Sequence, residues 1–138
     1  MAYFKDAQEV YDTLGKLFVE LAEDEELAPK LRKVNTIVQY AYSEPDSTIT
    51  VRLQEGQPGD VDLGETEMDP EVTMRMKADT AHRFWLGREN VTMAIARGEI
   101  KPHGPVAKIL QLVPLTKPVC PRYRAMLEAD GRSDLIEA

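Results

Sequence analysis

Cysteine and histidine are nearly missing from this 138-residue sequence, which holds one cysteine and two histidines. Cys120 cannot close an internal disulfide, so a reducing cytoplasm is the expected compartment. It stands between Val119 and Pro121 with no adjacent base, the setting of a packed thiol rather than a nucleophile. His82 and His103 are far apart, and neither belongs to a ligand-spaced pair. HExxH, CxxC, GxSxG, GxGxxG and a phosphate-cradling glycine loop are all missing. The sequence therefore implies no catalytic residue, no metal and no cofactor. No apolar run approaches the roughly 18 residues of a membrane span. The start, Met1-Ala2-Tyr3-Phe4-Lys5-Asp6, turns charged at once, unlike a secretory signal.

Positive charge is scarce in the first half. Residues 1–71 hold 6 Lys/Arg against 17 Asp/Glu, whereas residues 72–138 hold 11 against 7. The net charge of −7 argues against nucleic acid as a partner, since phosphate binding draws on Lys and Arg. The positive half is compatible with an anionic headgroup or with an ordinary solvated surface. Asp60, Asp62 and Glu71 fit positions one, three and twelve of a calcium loop. Gly64 falls on a liganding position and Glu65 replaces the turn glycine, so this stretch reads as a solvated strand and turn.

What is present is a composition of 43% hydrophobic and 30% charged residues, suited to one folded domain over residues 1–138. Asp6 and Glu9 form a capping box ahead of Ala7, Tyr11, Leu14, Phe18 and Leu21 at helical spacing. Acidic residues crowd the end of that helix, so a break is expected near Asp24. A short helix through Leu27 and Leu31 comes next, with Pro29 in its first turn. The period then changes to two. Strands are expected over 34–42, 48–54, 60–65, 71–78 and 99–103, with turns at 43–46 and 55–59. Short connections predict an antiparallel meander. Ile49, Val51, Leu53, Met74 and Met76 share the buried face, with Arg52, Arg75 and Lys77 opposite. Pro102 restricts the last strand to an edge or an irregular strand.

Asp79 is the expected N-cap of a helix carrying Ala81, Phe84, Trp85 and Leu86, and Asn90 caps another with Val91, Ala94 and Ile95. Gly104-Pro105 opens a helix with Val106, Ile109, Leu110 and Val113 on one stripe. Pro114, Pro118 and Pro121 punctuate the chain beyond that stripe, and a last helix with Tyr123, Met126 and Leu127 ends at Gly131. The fold class is α+β, a mainly antiparallel five-stranded sheet with helices packed on one face. Met74, Met76, Phe84, Trp85, Met93, Ile109 and Leu112 are large apolar groups, several of them adaptable in shape. Their pattern suits a plain core as well as a ligand site.

The stretch from Gly87 to Leu112 resembles the sterol carrier protein type 2, or non-specific lipid-transfer, family. The matching features are Gly87-Arg88, Ala94 in a short helix, Gly98, the strand Glu99-Ile100-Lys101, Gly104, and the aliphatic helix from Ala107 to Leu112. By motif the likeness covers residues 72–113, and by element order nearly the whole chain. Asn90-Val91, Glu99 and Pro102-His103 depart from the usual pattern. The resemblance implies non-catalytic binding and transfer of a hydrophobic ligand: a fatty acid, acyl-CoA, sterol-like or isoprenoid lipid. It implies a tunnel between the sheet and the helices of 79–97 and 105–113. Met74, Met76, Phe84, Trp85, Leu86, Val91, Met93, Ile95, Ile109 and Leu112 are its candidate lining, Trp85 foremost. A transient membrane-surface or protein contact is also compatible. Two other readings stay open: an accessory or scaffolding module assisting a lipid or quinone biosynthesis enzyme, and an enzyme acting on a lipid-like substrate.

Overall fold

The computed structural model describes residues 3–57 and 59–137; Met1, Ala2, Pro58 and Ala138, and the side chains of Val106 and Glu137, lie outside the described residues. Asp6 caps α1 (Ala7–Val10) by accepting the Glu9 amide at 3.0 Å, while Glu9 reaches back to the Lys5 amide. The chain continues through a π-helical stretch, Tyr11–Gly15, into α2 (Lys16–Glu23). Thr13 bonds back to the Glu9 and Val10 carbonyls there, the competition with helical bonding that opens a turn. The expected break falls at Asp24, whose carboxylate then accepts the Glu26 and Leu27 amides at the head of α3 (Leu27–Arg32).

The five strands fall within a residue or two of the expected segments: β1 (Thr36–Ser43), β2 (Ser47–Leu53), β3 (Val61–Leu63), β4 (Val72–Lys77) and β5 (Ile100–His103). Their pairing differs from the meander. The order is β3-β2-β1-β4-β5, and β4 lies parallel to β1. The α+β class with five strands stands, but the sheet is mixed rather than mainly antiparallel. The physical reason lies in β3 and β1. With only three residues and exposed Leu63, β3 offers little edge to a neighbour. β1 combines Val38, Tyr40 and Tyr42 on one face and pairs along both edges at the sheet centre. Segment 64–71 carries the chain across to it, and the Glu71 amide already bonds the Ile37 carbonyl at 3.0 Å.

Ile49, Val51, Leu53, Met74 and Met76 are buried on the inner face, while Arg75 and Lys77 are exposed and Arg52 half-buried. β5, carrying Pro102, is an edge strand. The inner face is covered by α4 (Ala78–Trp85), α5 (Val91–Ala96) and α6 (Val106–Thr116), with α2 and α3 beside β2, and the chain continues through a 3-10 turn (Lys117–Val119), α7 (Cys120–Ala129) and α8 (Ser133–Glu137). Asn90 caps α5 through the Met93 amide. Asp79 does not cap α4. β4 runs directly into that helix, so Lys77 takes the cap position, and Asp79 instead accepts the Tyr3 amide at 2.9 Å. Pro114 does not end α6 but lies in its last turn, where its missing N–H removes one bond to the preceding turn. Leu110 leaves the expected stripe for solvent, and Leu112 is buried instead. Gly104 has φ +110°, and a Cβ there would lie 2.3 Å from the Glu71 carbonyl oxygen, so only glycine fits where β5 turns into α6. Among the described residues, no helix is long and apolar enough to cross a membrane.

Candidate apolar ligand site

The inner face of the sheet is not closed tightly by its helices. A cavity of about 50 Å³ lies between β1, β4 and β5 on one side and α4, α5 and α6 on the other. A second of about 40 Å³ lies between α2, α3, β2 and the end of α6. Tyr40, Trp85, Leu112 and Thr116 border both, so they form the wall between them. Aromatic contacts stiffen this wall. Phe18 stands edge-on to Trp85 at 5.5 Å and packs on Tyr40 at 4.8 Å, and Phe84 lies edge-on to Trp85 at 4.9 Å.

Met74, Met76, Phe84, Trp85, Val91, Ile109 and Leu112 come together on the first cavity. Leu86 is buried but faces a shallow depression beside Cys120; Ile95 is half-buried, and Met93 is 56% exposed on the outer side of α5. None of these three borders either cavity. The lining that sequence reasoning missed is Val38, Tyr40 and Tyr42 on β1, together with Val72, Ala81, Ile100, Val113 and Thr116 on the elements around them. Alternation along 36–42 was the available signal, since it puts both tyrosines on the face of Val38.

The first cavity is apolar except for three hydroxyls, on Tyr40, Tyr42 and Thr116, and among the described residues no charged side chain borders it. Thr116 donates to the Val113 carbonyl at 2.6 Å. Burial pushes both phenols well above their ordinary pKa, so they stay protonated. The Tyr42 hydroxyl is buried with no hydrogen-bond partner among the described residues.

A charged groove meets this cavity from outside. Arg75, Lys77, Arg83 and Lys101 line it with Asp46 and Glu99, and it shares Tyr42 and Met76 with the cavity. Lys108 holds the start of α6 to the sheet, donating to the Asn35 carbonyl and to Glu71, each within 2.8 Å.

Neither histidine faces a cavity. His82 is fully buried, with Nδ1 2.8 Å from the Tyr123 hydroxyl and Nε2 2.8 Å from the Leu135 carbonyl. The carbonyl can only accept, so Nε2 carries the proton and Nδ1 accepts from Tyr123. His103 is exposed on β5. Burial raises the Cys120 thiol pKa, which keeps it protonated. Asp60 pairs with Arg52, Asp62 accepts from Thr66, and Glu71 binds Thr36 and Lys108, so the three carboxylates of the calcium-like pattern go to separate partners.

No curated protein sequence matches the chain. Among solved structures, the fold is similar to the sterol carrier protein domain 2 of Helicoverpa armigera, with TM-score 0.65, 21% identity, and coverage of 81% of this chain and 88% of that one. The apo sterol carrier protein 2 of Yarrowia lipolytica gives 0.62 and 17%, covering 80% and 88%. A UbiJ-SCP2 ubiquinone synthesis protein gives 0.59 and 20%, covering 86% and 96%. The profile of the SCP-2 sterol transfer family matches residues 16–117, well over half of the sequence, and the chain belongs to that family.

Proposed function

We propose that residues 1–138 act as one non-catalytic lipid-binding domain that takes up a hydrophobic ligand between the inner face of the sheet and α4 to α6. The observation carrying this reading is the pair of apolar cavities divided by one thin wall. A drug-sized apolar ligand requires roughly 300–1,000 Å³. The two voids supply far less, so uptake requires them to join. α6 contributes Leu112 and Thr116 to the wall, is held at its start by Lys108, and is weakened in its last turn by Pro114. An outward swing of its later half merges the cavities. Met74 and Met76 then adapt to the ligand's shape. The basic groove gives a transient contact with an anionic membrane surface as the ligand passes, and the reducing cytoplasm is the compartment proposed.

Trp85, the one tryptophan, sits in the dividing wall. Titration with cis-parinaric acid or a fluorescent sterol should change its emission saturably, and native mass spectrometry should find one bound lipid per chain. Protein that takes up neither probe and carries no extractable lipid would remove the carrier reading. The small cavity volume favours the second reading, an accessory module for a lipid or quinone biosynthesis enzyme, and the fold likeness to the UbiJ-SCP2 protein is compatible with it. That reading expects a stoichiometric complex with an enzyme and no bound lipid.

A further inference from the structure

We propose that the inner cavity selects a neutral lipid bearing a hydroxyl or carbonyl group, and that the Tyr42 hydroxyl binds that group. The proposal rests on the carrier reading above and narrows it to one class of ligand. Tyr42 is 5% exposed and lines the cavity from β1, the central strand. Its hydroxyl is the one buried side-chain polar atom left without a partner among the described residues. The other buried polar groups are satisfied locally. Thr36 donates to Glu71, Ser47 to the Pro45 carbonyl, Thr13 to the Glu9 carbonyl, and Tyr123 pairs with His82. An unpaired buried hydroxyl is costly, and a ligand atom that pairs with it recovers that cost on binding.

The chemistry of that atom is set by the lining. A hydroxyl both donates and accepts, so it pairs with an alcohol or a carbonyl. A pure hydrocarbon leaves it orphaned. A carboxylate is disfavoured even beside the Tyr40, Tyr42 and Thr116 hydroxyls, since a buried charge without a cation is costly and no Lys, Arg or His among the described residues borders the cavity. Arg75, Lys77, Arg83 and Lys101 line the groove beyond Tyr42 and Met76, outside the cavity.

A twelve-carbon series tests this by displacement of Nile red from purified protein, comparing dodecane, dodecanol, methyl laurate and laurate at neutral pH. Wild type should bind dodecanol and methyl laurate more tightly than dodecane or laurate. Tyr42→Phe deletes one oxygen and should weaken dodecanol and methyl laurate about fivefold, leaving dodecane unchanged or tighter. Melting of the ligand-free variant should match or exceed wild type. A Tyr42→Phe protein with unchanged preference for dodecanol over dodecane overturns the proposal, as does a ligand-free variant that melts well below wild type. Laurate binding tighter than dodecanol also overturns it, placing the headgroup in the groove. Dodecane binding with no discrimination sinks only the Tyr42 role, whereas failure of every ligand sinks the carrier reading with it.

Discussion

Two buried tyrosines mark regions of the core that are finished differently. Tyr123, under α8, is fully buried and hydrogen-bonded to His82, which in turn holds the Leu135 carbonyl. Tyr42, under α6, is almost as buried and has no partner among the described residues. The first region ties α4, α7 and α8 together through a satisfied network, with Phe4 edge-on to the same imidazole at 5.3 Å. The second is bordered by voids and by methionines. The proposed uptake opens one side of the core while the other stays folded, and that division suits it. The satisfied network holds one side of the core in a unique arrangement, and the underpacked side yields at lower cost.

Breaking the satisfied side should cost most. His82→Leu fills the volume but orphans both the Tyr123 hydroxyl and the Leu135 carbonyl, so a loss of about 4 kcal/mol is expected in urea or guanidinium unfolding. A loss under about 1 kcal/mol would erase the contrast between the two regions. The same imidazole gives the contrast a pH signature. Burial lowers the His82 pKa from its ordinary 6.5, so the unfolded chain binds the proton more tightly than the folded one. Its contribution is therefore present above pH 6.5 and declines as pH falls from there toward the folded value. His82→Leu should flatten that decline.

On the yielding side, Trp85→Ala should cost less than its size suggests. In a tightly packed core this truncation costs roughly 3–5 kcal/mol. Trp85 borders both cavities, so part of its surface already lacks neighbours, and a loss of about 2–3 kcal/mol is expected. Nile red affinity per folded molecule should change as well. A large stability loss with unchanged affinity would assign Trp85 to the core and remove it from the site.

How much of this is legible in sequence depends on the range of the forces involved. Caps are local, and Asp6 and Asn90 are readable from the residues beside them. Alternation is local too, and it places Met74 and Met76 inward and Arg75 outward. Which strand β4 joins is not local. The shortness of β3 and the double pairing of β1 are decided by the whole sheet, and the Val72-to-Lys77 pattern is the same whichever neighbour it takes. Asp79 departs from its expected cap role for the same reason, because the preceding strand shifts the helix start and frees its carboxylate for Tyr3. His82 carries no signal at all. Its two partners stand 41 and 53 positions away, and only packing brings them to it.

The smallest expected effect probes the voids themselves. Val38 is 1% exposed on β1 and borders the first cavity, between the two flanking strands β2 and β4. Val38→Ile adds one methylene toward a space of about 50 Å³ and keeps the β-branched shape that a strand favours. Burying that group is worth about 0.8 kcal/mol, so the variant should be more stable by about 0.5–1 kcal/mol. In a fully packed core the same change would be overpacking and would destabilise by about 1–3 kcal/mol. The sign alone therefore separates a real void from a close-packed interior. If the void is where the ligand enters, the stabilised variant should also take up Nile red more weakly, since the merged cavity begins smaller. His82→Leu should act oppositely on stability and leave affinity per folded molecule unchanged. A Val38→Ile protein that is both less stable and equally good at dye uptake would mean that the two sides of the core do not differ in packing.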